Sequence, residues 1–360
     1  MRIAIDTTPL ETGHKDRGVG RYTKLLIEAL QKYEGNHSYH FFTRGQKVPK
    51  NVDIVHYPYF DPFFIALPVF HTLPIVVTVH DLIPLVFPEH FPAGIRGRLK
   101  WQVQRWSLGR TTRIITDSES SKRDIIRLAG ISPQSIDVIR LAAAPAFRQI
   151  SDKEVLKKVR KNYDLPEKFV LYVGDINWNK NIFGMLKAFK IIKSQILDSR
   201  LRGNDNLLKK LKLVLVGKGF VHESVEANEI NAYIAAHKLD DDIVRVGGVV
   251  LEDLVALYNL ASVYIQPSFY EGFGLPVLEA MSCGTVVVTT GGGSLIEIAG
   301  PAMVVEPNDP DDIARGLMDA LTMPVRDRKD SIHKQSVWGQ QFSWERVARE
   351  TIESYKSALA

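Results

Sequence analysis

The chain has a single cysteine and no long hydrophobic run, and these two features exclude several classes of protein. Cys283 is the single cysteine among 360 residues, so no disulfide can form within the chain and a disulfide-stapled secreted domain is excluded. We expect Cys283 to be a small buried hydrophobic residue and the protein to reside in a reducing cytoplasm. The sequence opens with MRIAID, a strand pattern without a leader-like apolar segment. We therefore expect the first residues to enter the fold directly.

A membrane span, a metal centre and a nucleic-acid partner have equally little support. The apolar stretch 56–91 is interrupted by acidic residues, a histidine and several prolines, which leaves it short of the roughly 20 apolar residues that a spanning helix needs. The D-P-D sequence at 309–311 is typical of a helix start rather than a cation site, and no cluster of Cys and His is present. The net charge of +5 fits solubility or a weak attraction to anionic surfaces. The sequence predicts no metal, no cofactor and no nucleic-acid partner.

Length and an alternation of strand and helix patterns predict two parallel-sheet domains. With 360 residues, 45% hydrophobic and 24% charged, the chain can bury two substantial cores. Short runs rich in β-branched residues alternate with helical patterns, which is typical of an α/β fold. The predicted strands form two series, RIAID, YHFFT, DIVHY, PIVVTVHD, RIITDS and IDVIRL, then FVLYVG, LKLVLVGKG, DIVRVGG, ASVYIQPS, TVVVTT and AMVVEP. The predicted domains are residues 1–160 and 161–342, with a helix at 343–360 that packs back on the first domain.

The most informative segment is PSFYEGFGLPVLEAMSCG, a glycine-containing turn that leads into a helix. Pro276 suits the first turn of that helix because it lacks the N–H that would be unpaired there. Gly272 and Gly274 let the backbone approach a ligand closely. Free N–H groups and the helix dipole favour an anion. The segment therefore predicts a phosphate or pyrophosphate site beside Glu271 and Glu279.

Two other interpretations of this segment stay open at this stage. An aromatic and glycine turn followed by an amphipathic helix that ends at Gly284 also describes an ordinary helix start and stop. A pair of glycosidase carboxylates is the second alternative. If residues 271–279 were all helical, the two carboxylates would lie about 12 Å apart, beyond the roughly 5 to 9.5 Å that those hydrolases use. This spacing lowers the support for a hydrolase without excluding it.

The wording EGFGLPVLEAM within this segment resembles the E-x7-E signature of the retaining, nucleotide-sugar-dependent family 4 glycosyltransferases. The resemblance implies a GT-B fold, in which two Rossmann-like parallel-sheet domains face a central cleft. It also implies roles for individual residues. Glu271 would contact the donor sugar and Glu279 the nucleotide ribose, while the diphosphate would be bound by the backbone of Phe273, Gly274 and Leu275.

A second segment, FVLYVGDINWNKN, places Gly174 just past a strand and Lys180 at the start of the next helix. It resembles the G-T-L-x-P-R-K-N element of the same family, in which Lys180 and Asn181 match directly. Lys180 is therefore expected to neutralise the leaving diphosphate. Asn179 stands where an Arg is usual, which implies that Lys180 carries more of that charge or that another cation compensates. A solvated lysine at a helix start is the alternative interpretation.

Three further turns at strand ends are candidates for the site. RGVGRY follows the first strand and resembles the G-I-G-R-Y of mannosyltransferase-type members, so Gly18 and Gly20 are expected to offer backbone amides to the donor phosphate. Gly217, in LVGKG, is expected to line the nucleotide pocket. His80, in VTVHDLIPL, matches a histidine that lies near the transferred sugar and acceptor in the resembling subgroup. A structural histidine is the alternative for His80.

Two regions outside these motifs carry separate expectations. Residues 95–113 interleave six cationic side chains with Trp101 and Trp106. We expect a solvated helix face with both tryptophans turned inward, and contact with anionic lipid headgroups is the alternative. Residues 197–206 are expected to form an exposed polar loop without an assigned function. The segment VIRLAAAPAF stands where the family reads V-I-P-N-G-V-D, so no contact is carried over from that loop.

The resemblance implies a metal-independent retaining glycosyltransferase with Lys180, Glu271 and His80 in catalytic roles. Such an enzyme would move a hexose, mannose in the resembling subgroup, from a GDP- or UDP-linked donor to a hydroxyl of a glycan or a lipid-linked acceptor. A cytoplasmic location with peripheral contact at the inner face of the membrane fits that acceptor. The alternatives are a nucleotide-sugar epimerase or phosphorylase of the same fold, and a non-catalytic sugar-nucleotide-binding subunit, which Asn179 and the LAAAPAF loop motivate.

Overall fold

The computed structural model describes residues 1–13, 18–197 and 206–360, in which strands and helices alternate. The strands are β1 (Arg2–Asp6), β2 (Ser38–Phe42), β3 (Ile54–Tyr57), β4 (Ile75–Thr78), β5 (Arg113–Thr116), β6 (Ile136–Val138), β7 (Phe169–Val173), β8 (Lys212–Val216), β9 (Ile243–Gly247), β10 (Val263–Gln266), β11 (Val287–Thr290) and β12 (Met303–Val305). The helices are α1 (Thr8–Glu11), α2 (Gly18–Tyr33), α3 (Ile83–Val86), α4 (Gly94–Leu108), α5 (Glu119–Ala129), α6 (Lys153–Asn162), α7 (Ile182–Leu197), α8 (Asn206–Lys209), α9 (Val225–Ala236), α10 (Leu251–Leu260), α11 (Leu275–Ser282), α12 (Leu295–Ala299), α13 (Pro310–Thr322), α14 (Val325–Gly339) and α15 (Trp344–Leu359). Each predicted strand segment contains or overlaps one of these strands, so the predicted alternation is confirmed.

The first of two compact units consists of Met1–Ala142 together with Phe342–Ala360. Its strands are all parallel and lie in the order β2-β1-β3-β4-β5-β6. Every residue of β3 and β4 is buried, as expected for parallel strands that have helices on both faces. Helix α15 packs against α2, β4 and β5, so the last helix of the chain covers part of this sheet.

The second unit, Ala143–Gln341, contains a parallel sheet of order β12-β11-β10-β7-β8-β9. The chain proceeds from β7 outward to β9 on one side, and then from β10 outward to β12 on the other. The strand order therefore reverses between β7 and β10. Loops that leave adjacent strands at such a reversal diverge and open a crevice at the carboxyl ends, where ligands of open α/β sheets bind.

The chain passes from the first unit to the second after Ala142 and returns to the first unit after Gln341. The predicted domain boundaries instead follow residues 160 and 342. Residues 143–160 belong with the second sheet. Just after α6, the Tyr163 hydroxyl donates to Asp253 of α10 at 2.6 Å. The Asn259 side chain accepts from the Ile150 amide at 2.8 Å and donates to the Arg148 carbonyl at 2.9 Å. These contacts join residues far apart in the chain, and the local charge pattern does not encode them.

Helix α4 departs from its sequence-based expectation. Trp101 packs against the hydrophobic core of the first unit, but Trp106 is 46% exposed. The prediction that both tryptophans turn inward is therefore wrong. Residues five positions apart on a helix point in directions about 140° apart, so a single buried face cannot take both rings.

Two sequence features extend beyond the described part of the chain. Residues 198–205 of the predicted loop at 197–206 lie outside the described residues, as does Arg17 of RGVGRY. Among residues 1–13, 18–197 and 206–360, no helix combines the length and the apolar character needed to cross a membrane.

Candidate functional site

A lysine and a glutamate meet in the second unit, at the reversal of strand order. Lys180 lies in the loop that follows β7, and Glu271 lies in the loop that follows β10. The Lys180 Nζ is 2.8 Å from both carboxylate oxygens of Glu271. The two side chains are 21% and 8% exposed. The ammonium is therefore held by a carboxylate where an open α/β sheet binds its ligand.

The Glu271 carboxylate is held by side chains that the sequence motifs did not single out. Gln266 Nε2 and Ser268 Oγ donate to Glu271 Oε1 at 2.9 and 2.6 Å. Tyr264 donates its hydroxyl to Gln266 Oε1 and so fixes the amide orientation. Burial, more than any other influence, raises the pKa of Tyr264 well above its usual value, which keeps this hydroxyl a donor. Polar residues at the carboxyl end of a buried strand were the signal that could have identified this network.

The backbone at Glu271 is fixed by the glycine turn that precedes α12. Gly293 forms a β-bridge with Glu271. Ser294 donates its N–H and its Oγ–H to the Glu271 carbonyl at 3.1 and 3.0 Å. Gly293 has a φ of 64°, and a Cβ there would lie 2.5 Å from the Glu271 carbonyl oxygen. This approach of two backbones requires glycine, and it limits the freedom of the Glu271 side chain.

Helix α11 begins four residues after Glu271. Its first residue is Leu275, and Pro276, the predicted first helical position, is its second. Gly274 precedes the helix with a φ of 95°, and a Cβ there would lie 2.6 Å from Leu295 Cδ2. Phe273 is buried. The Val277 amide donates to the Gly274 carbonyl at 3.0 Å, and the N-terminus of the helix carries the positive end of its dipole, so this end can stabilise an anion near Glu271.

Glu279 lies on α11 and is buried. The Tyr258 hydroxyl donates to Glu279 Oε2 at 2.9 Å. Burial and then the Glu279 charge raise the pKa of Tyr258 well above its usual value, so Tyr258 stays a donor. Cys283 is buried just after the same helix, and burial together with Glu279 raises the pKa of its thiol to about 12. The prediction that Cys283 is a small core residue is confirmed.

Two asparagines tie the Lys180 loop to the Glu271 loop. Asn179 Nδ2 donates to the Tyr270 carbonyl at 3.0 Å, and the Asn179 carbonyl accepts from the Phe269 amide at 2.8 Å. Asn181 has a φ of 54°, and its Nδ2 donates to the carbonyls of Pro267 and Pro307 at 3.0 and 2.7 Å. Asn179, which stands where the family has an Arg, is thus buried and joins the two loops.

Glycines at the ends of two adjacent strands bring their backbones together. Gly174 follows β7 and donates its amide to the Val216 carbonyl at 3.0 Å. Gly217 follows β8, and a Cβ on it would lie 2.1 Å from the Gly174 carbonyl oxygen. Any side chain at Gly217 would therefore displace the Gly174 loop, which leads to Lys180. The structure thus brings both glycines to the carboxyl edge of the sheet that also bears Lys180 and Glu271.

The remaining predicted residues lie in the first unit. Gly18 is the exposed first residue of α2, and Gly20 is buried in the first turn of this helix. A Cβ on Gly18 would meet nothing within 4 Å, so the fold itself does not require glycine there. The expected contact of these glycines with a phosphate stays a prediction.

His80 follows β4 and pairs with Asp117, which follows β5. The His80 Nδ1 lies 2.7 Å from Asp117 Oδ2, and the side chains are 16% and 4% exposed. Burial opposes a charged ring, but the charge and hydrogen bond of Asp117, together with the charge of Asp81, outweigh it, so the pKa of His80 lies above its usual value. The Pro58 carbonyl also raises the pKa of His80, although no hydrogen bond of normal geometry joins it to the ring Nε2. The Tyr22 ring packs edge-on at 4.6 Å, and Ser121 Oγ donates to the His80 carbonyl at 2.9 Å.

The described residues contain no group of three or more His, Cys, Asp or Glu side chains that could hold a metal ion. The Lys180–Glu271 pair instead places one positive and one negative charge at the loop after β10. An ammonium, a carboxylate and a helix N-terminus together suit an anionic ligand that also carries hydroxyl groups.

Two family profiles match the sequence. Residues 154–336 match the profile of glycosyl transferases group 1, which spans the loops of Lys180 and Glu271. Residues 46–143 match the profile of glycosyltransferase family 4, which includes His80.

Two relatives from Escherichia coli are mannosyltransferases. The chain is 33% identical to O-antigen chain mannosyltransferase B over 282 residues, which cover 78% of this chain and 70% of the relative. It is 28% identical to the serotype-specific mannosyltransferase WbdA over 287 residues, which cover 79% of this chain. That match spans only 33% of WbdA, so the chain corresponds to about a third of this longer protein.

Two solved structures have the same fold. Sucrose-phosphate synthase from Thermosynechococcus elongatus matches with a TM-score of 0.74 at 18% identity, over 99% of this chain and 98% of that one. HepE from Anabaena, solved in complex with UDP-glucose, matches with a TM-score of 0.72 at 17% identity, over 99% and 100% of the two chains. At these identities the likeness concerns the fold alone. The GT-B fold with two Rossmann-like parallel sheets, expected from the sequence, is confirmed.

Proposed function

Because the chain belongs to the group 1 glycosyl transferases and to glycosyltransferase family 4, we propose that it transfers mannose from a nucleotide sugar to an acceptor hydroxyl, with retention of anomeric configuration. The observation that carries this proposal is the Lys180–Glu271 pair, set between two loops at the reversal of strand order. The mannosyltransferase relatives support the choice of sugar, and the UDP-glucose complex of HepE supports a nucleoside-diphosphate donor. The acceptor would be a glycan or a lipid-linked sugar.

The proposed donor site lies in the second unit and uses no metal. Lys180 would neutralise the diphosphate together with the N-terminal amides of α11 at Phe273, Gly274 and Leu275. Gly174 and Gly217 carry no side chain that would keep the ligand from the strand ends. Glu279 would accept hydrogen bonds from the ribose hydroxyls, because a buried carboxylate gains from further donors.

In the proposed reaction, the bond between the anomeric carbon and the diphosphate oxygen breaks, and its electron pair stays on that oxygen. The acceptor hydroxyl bonds to the anomeric carbon on the same face and passes its proton to the departing oxygen. Charge therefore grows on the diphosphate, and Lys180, which Glu271 holds at 2.8 Å, would neutralise it. Pre-aimed donors of this kind lower the barrier because they need no reorganisation as the charge develops.

Glu271 is better suited to bind the sugar than to attack it. Its carboxylate already accepts hydrogen bonds from Lys180, Gln266 and Ser268. These donors stabilise the charge and reduce its nucleophilicity, so we assign Glu271 to the sugar hydroxyls and to the orientation of Lys180. The first unit, with His80, is the proposed acceptor-side domain.

Nucleotide release from a panel of GDP- and UDP-sugars, with mannosides as acceptors and with EDTA present, tests this function. We expect release from one mannose donor to persist in EDTA. We expect Lys180→Ala to lower kcat by about 100-fold or more, as removal of a partner for transition-state charge does. Glu279→Ala should mainly raise the KM for the donor. Lys157→Ala, at an exposed lysine of α6, is the matched control and should keep full activity.

Different results would point to the alternative activities or against the proposal. Conversion of the donor to another nucleotide sugar without acceptor would identify an epimerase, and dependence on inorganic phosphate would identify a phosphorylase. Nucleotide binding by calorimetry without turnover on any acceptor would favour a non-catalytic binding subunit. Loss of release in EDTA, restored by a divalent cation, would refute metal independence. Near-native kcat in Lys180→Ala would remove the role assigned to that lysine.

A further inference from the structure

Helix α4 presents its apolar side chains outward. Ile95, Leu99, Val103 and Trp106 follow one another at helical spacing, and they are 79%, 64%, 38% and 46% exposed. The buried residues of the same helix are Gly97, Gln104, Ser107 and Leu108. A surface helix ordinarily buries its apolar stripe and exposes its polar residues. Most of this helix shows the opposite arrangement, which indicates that its outward stripe has a partner.

The loop before β4 extends this outward surface. Phe64, Ile65 and Phe70 are 61%, 42% and 82% exposed. The Phe70 ring packs edge-on against Trp106, with 6.1 Å between ring centroids. Gln104 Oε1 accepts from the amides of Ala66 and Leu67 at 2.8 and 3.2 Å and so fixes the loop to α4. We name this surface the α4 patch, which consists of Phe64, Ile65, Phe70, Ile95, Leu99, Val103 and Trp106.

The charges on helix α4 itself are of one sign, while Asp61 accepts from the Phe64 amide at 3.1 Å at the edge of the patch. Helix α4 carries Arg96, Arg98, Lys100 and Arg105 and contains no acidic residue. Lys100 Nζ lies 5.0 Å from the centroid of the Phe64 ring. Arg110 Cζ lies 4.8 Å from that of Trp106. Long cationic side chains beside aromatic rings are typical of surfaces that rest at the boundary between headgroups and acyl chains.

We propose that the α4 patch docks the protein onto an anionic lipid bilayer. The aromatic and aliphatic side chains would enter the acyl boundary, while the surrounding cations contact lipid phosphates. A second copy of the chain fits this surface poorly, because a two-fold contact would bring the same cations of α4 face to face. The contact is peripheral, since it uses one face of a helix and one loop.

Flotation of the full chain with phosphatidylglycerol-containing vesicles, compared with pure phosphatidylcholine vesicles, tests the inference. We expect binding to the anionic vesicles that weakens as salt is raised. Ile95→Ser/Leu99→Ser/Phe70→Ser should weaken this binding at least about tenfold, because three large apolar groups no longer leave water. Arg96→Gln/Arg98→Gln should weaken it and reduce its dependence on salt. The matched control is Val225→Ser/Val325→Ser, which removes equally exposed apolar side chains, 72% and 73%, from the second unit.

Three results would overturn the inference. Wild-type protein that does not float with anionic vesicles would do so directly. Equal binding by the patch variants and the control would assign the contact to another surface. Concentration-dependent self-association that the patch variants abolish, without vesicle binding, would make the patch an interface between copies. The assay needs neither donor nor acceptor, so its failure would leave the proposed transfer reaction untouched.

Discussion

The protonation of His80 is decided by two opposing influences on one side chain. Burial removes water from the imidazolium and by itself would lower the pKa. The Asp117 carboxylate, 2.7 Å from Nδ1, favours the charged ring, and with the charge of Asp81 it outweighs burial. This bond also fixes which nitrogen faces the carboxylate. We regard Asp117 as a positioning residue that acts through His80.

Asp117→Asn tests this relation at the residue scale. The amide keeps the size of the side chain but removes its charge, so burial should then dominate and the pKa of His80 should fall below its usual value. We expect kcat to drop about tenfold or more, and the pH dependence of kcat to shift with the ring. NMR titration of the His80 ring and a pH profile of kcat are the measurements. An unchanged ring pKa, or an unchanged pH profile with lower kcat, would reduce Asp117 to a structural role.

Individual site residues were predictable where they belong to a contiguous motif. Glu271, Glu279 and Lys180 stand in wording that resembles a family, and their predicted roles stay predictions. Gln266 and Tyr258 contact those glutamates, but no motif includes them. Tyr258 lies on α10 and meets Glu279 of α11 only after the chain has folded. A partner such as Tyr258 depends on tertiary packing and leaves no local pattern, whereas Gln266 is marked only by its place at the end of a buried strand.

A chain of buried hydrogen bonds joins four elements of the first unit. The Tyr355 hydroxyl of α15 lies 2.6 Å from His56 Nδ1 on β3. The His56 Nε2 lies 2.9 Å from Thr78 Oγ1 of β4, which lies 3.0 Å from the Tyr22 hydroxyl of α2. His56 is fully buried, and burial followed by the charge of His80 lowers its pKa to about 3. The network therefore requires a neutral His56 ring.

Acidification should destabilise these elements. The unfolded chain binds a proton at His56 near pH 6.5, whereas the folded chain does so only near pH 3, so His56 contributes stability above about pH 6.5. That contribution should fall by about 1.4 kcal/mol per pH unit as the pH drops from about 6.5 toward 3. Hydrogen-exchange protection of β3 and β4 amides measures the effect. His56→Gln should flatten this pH dependence, whereas His333→Gln, at an exposed position, should leave it unchanged. Equal slopes in wild type and His56→Gln would contradict the assignment.

The elements themselves were largely predictable because each depends on a short pattern. The helix predicted at 343–360 is observed at Trp344–Leu359, and α13 begins at Pro310 with Asp309 as its cap, as the D-P-D sequence predicts. The burial of α4 was not predictable in the same way. Its cationic residues alternate with apolar ones, and the pattern alone does not say which set faces the core.

At the scale of the whole molecule, the chain enters the first unit, completes the second and returns for its last helix. The amphipathic pattern of α15 predicts a buried face but does not name the sheet that it covers. Its buried residues include Trp344, Val347, Ile352 and Tyr355, which pack within the first unit. The stability of β1–β6 therefore depends on residues that are translated after all of the second unit.

Matched core truncations in the two units should separate their stabilities. Ile352→Ala on α15 and Ile313→Ala on α13 each remove a nearly fully buried side chain, 1% and 0% exposed. Each should cost about 2 to 5 kcal/mol through lost burial and an unfilled cavity. Hydrogen exchange should then show lower protection in β1–β6 for Ile352→Ala and in β7–β12 for Ile313→Ala, because each residue belongs to the core of its own sheet. If Ile352→Ala reduced protection chiefly in β7–β12, the assignment of α15 to the first unit would be wrong.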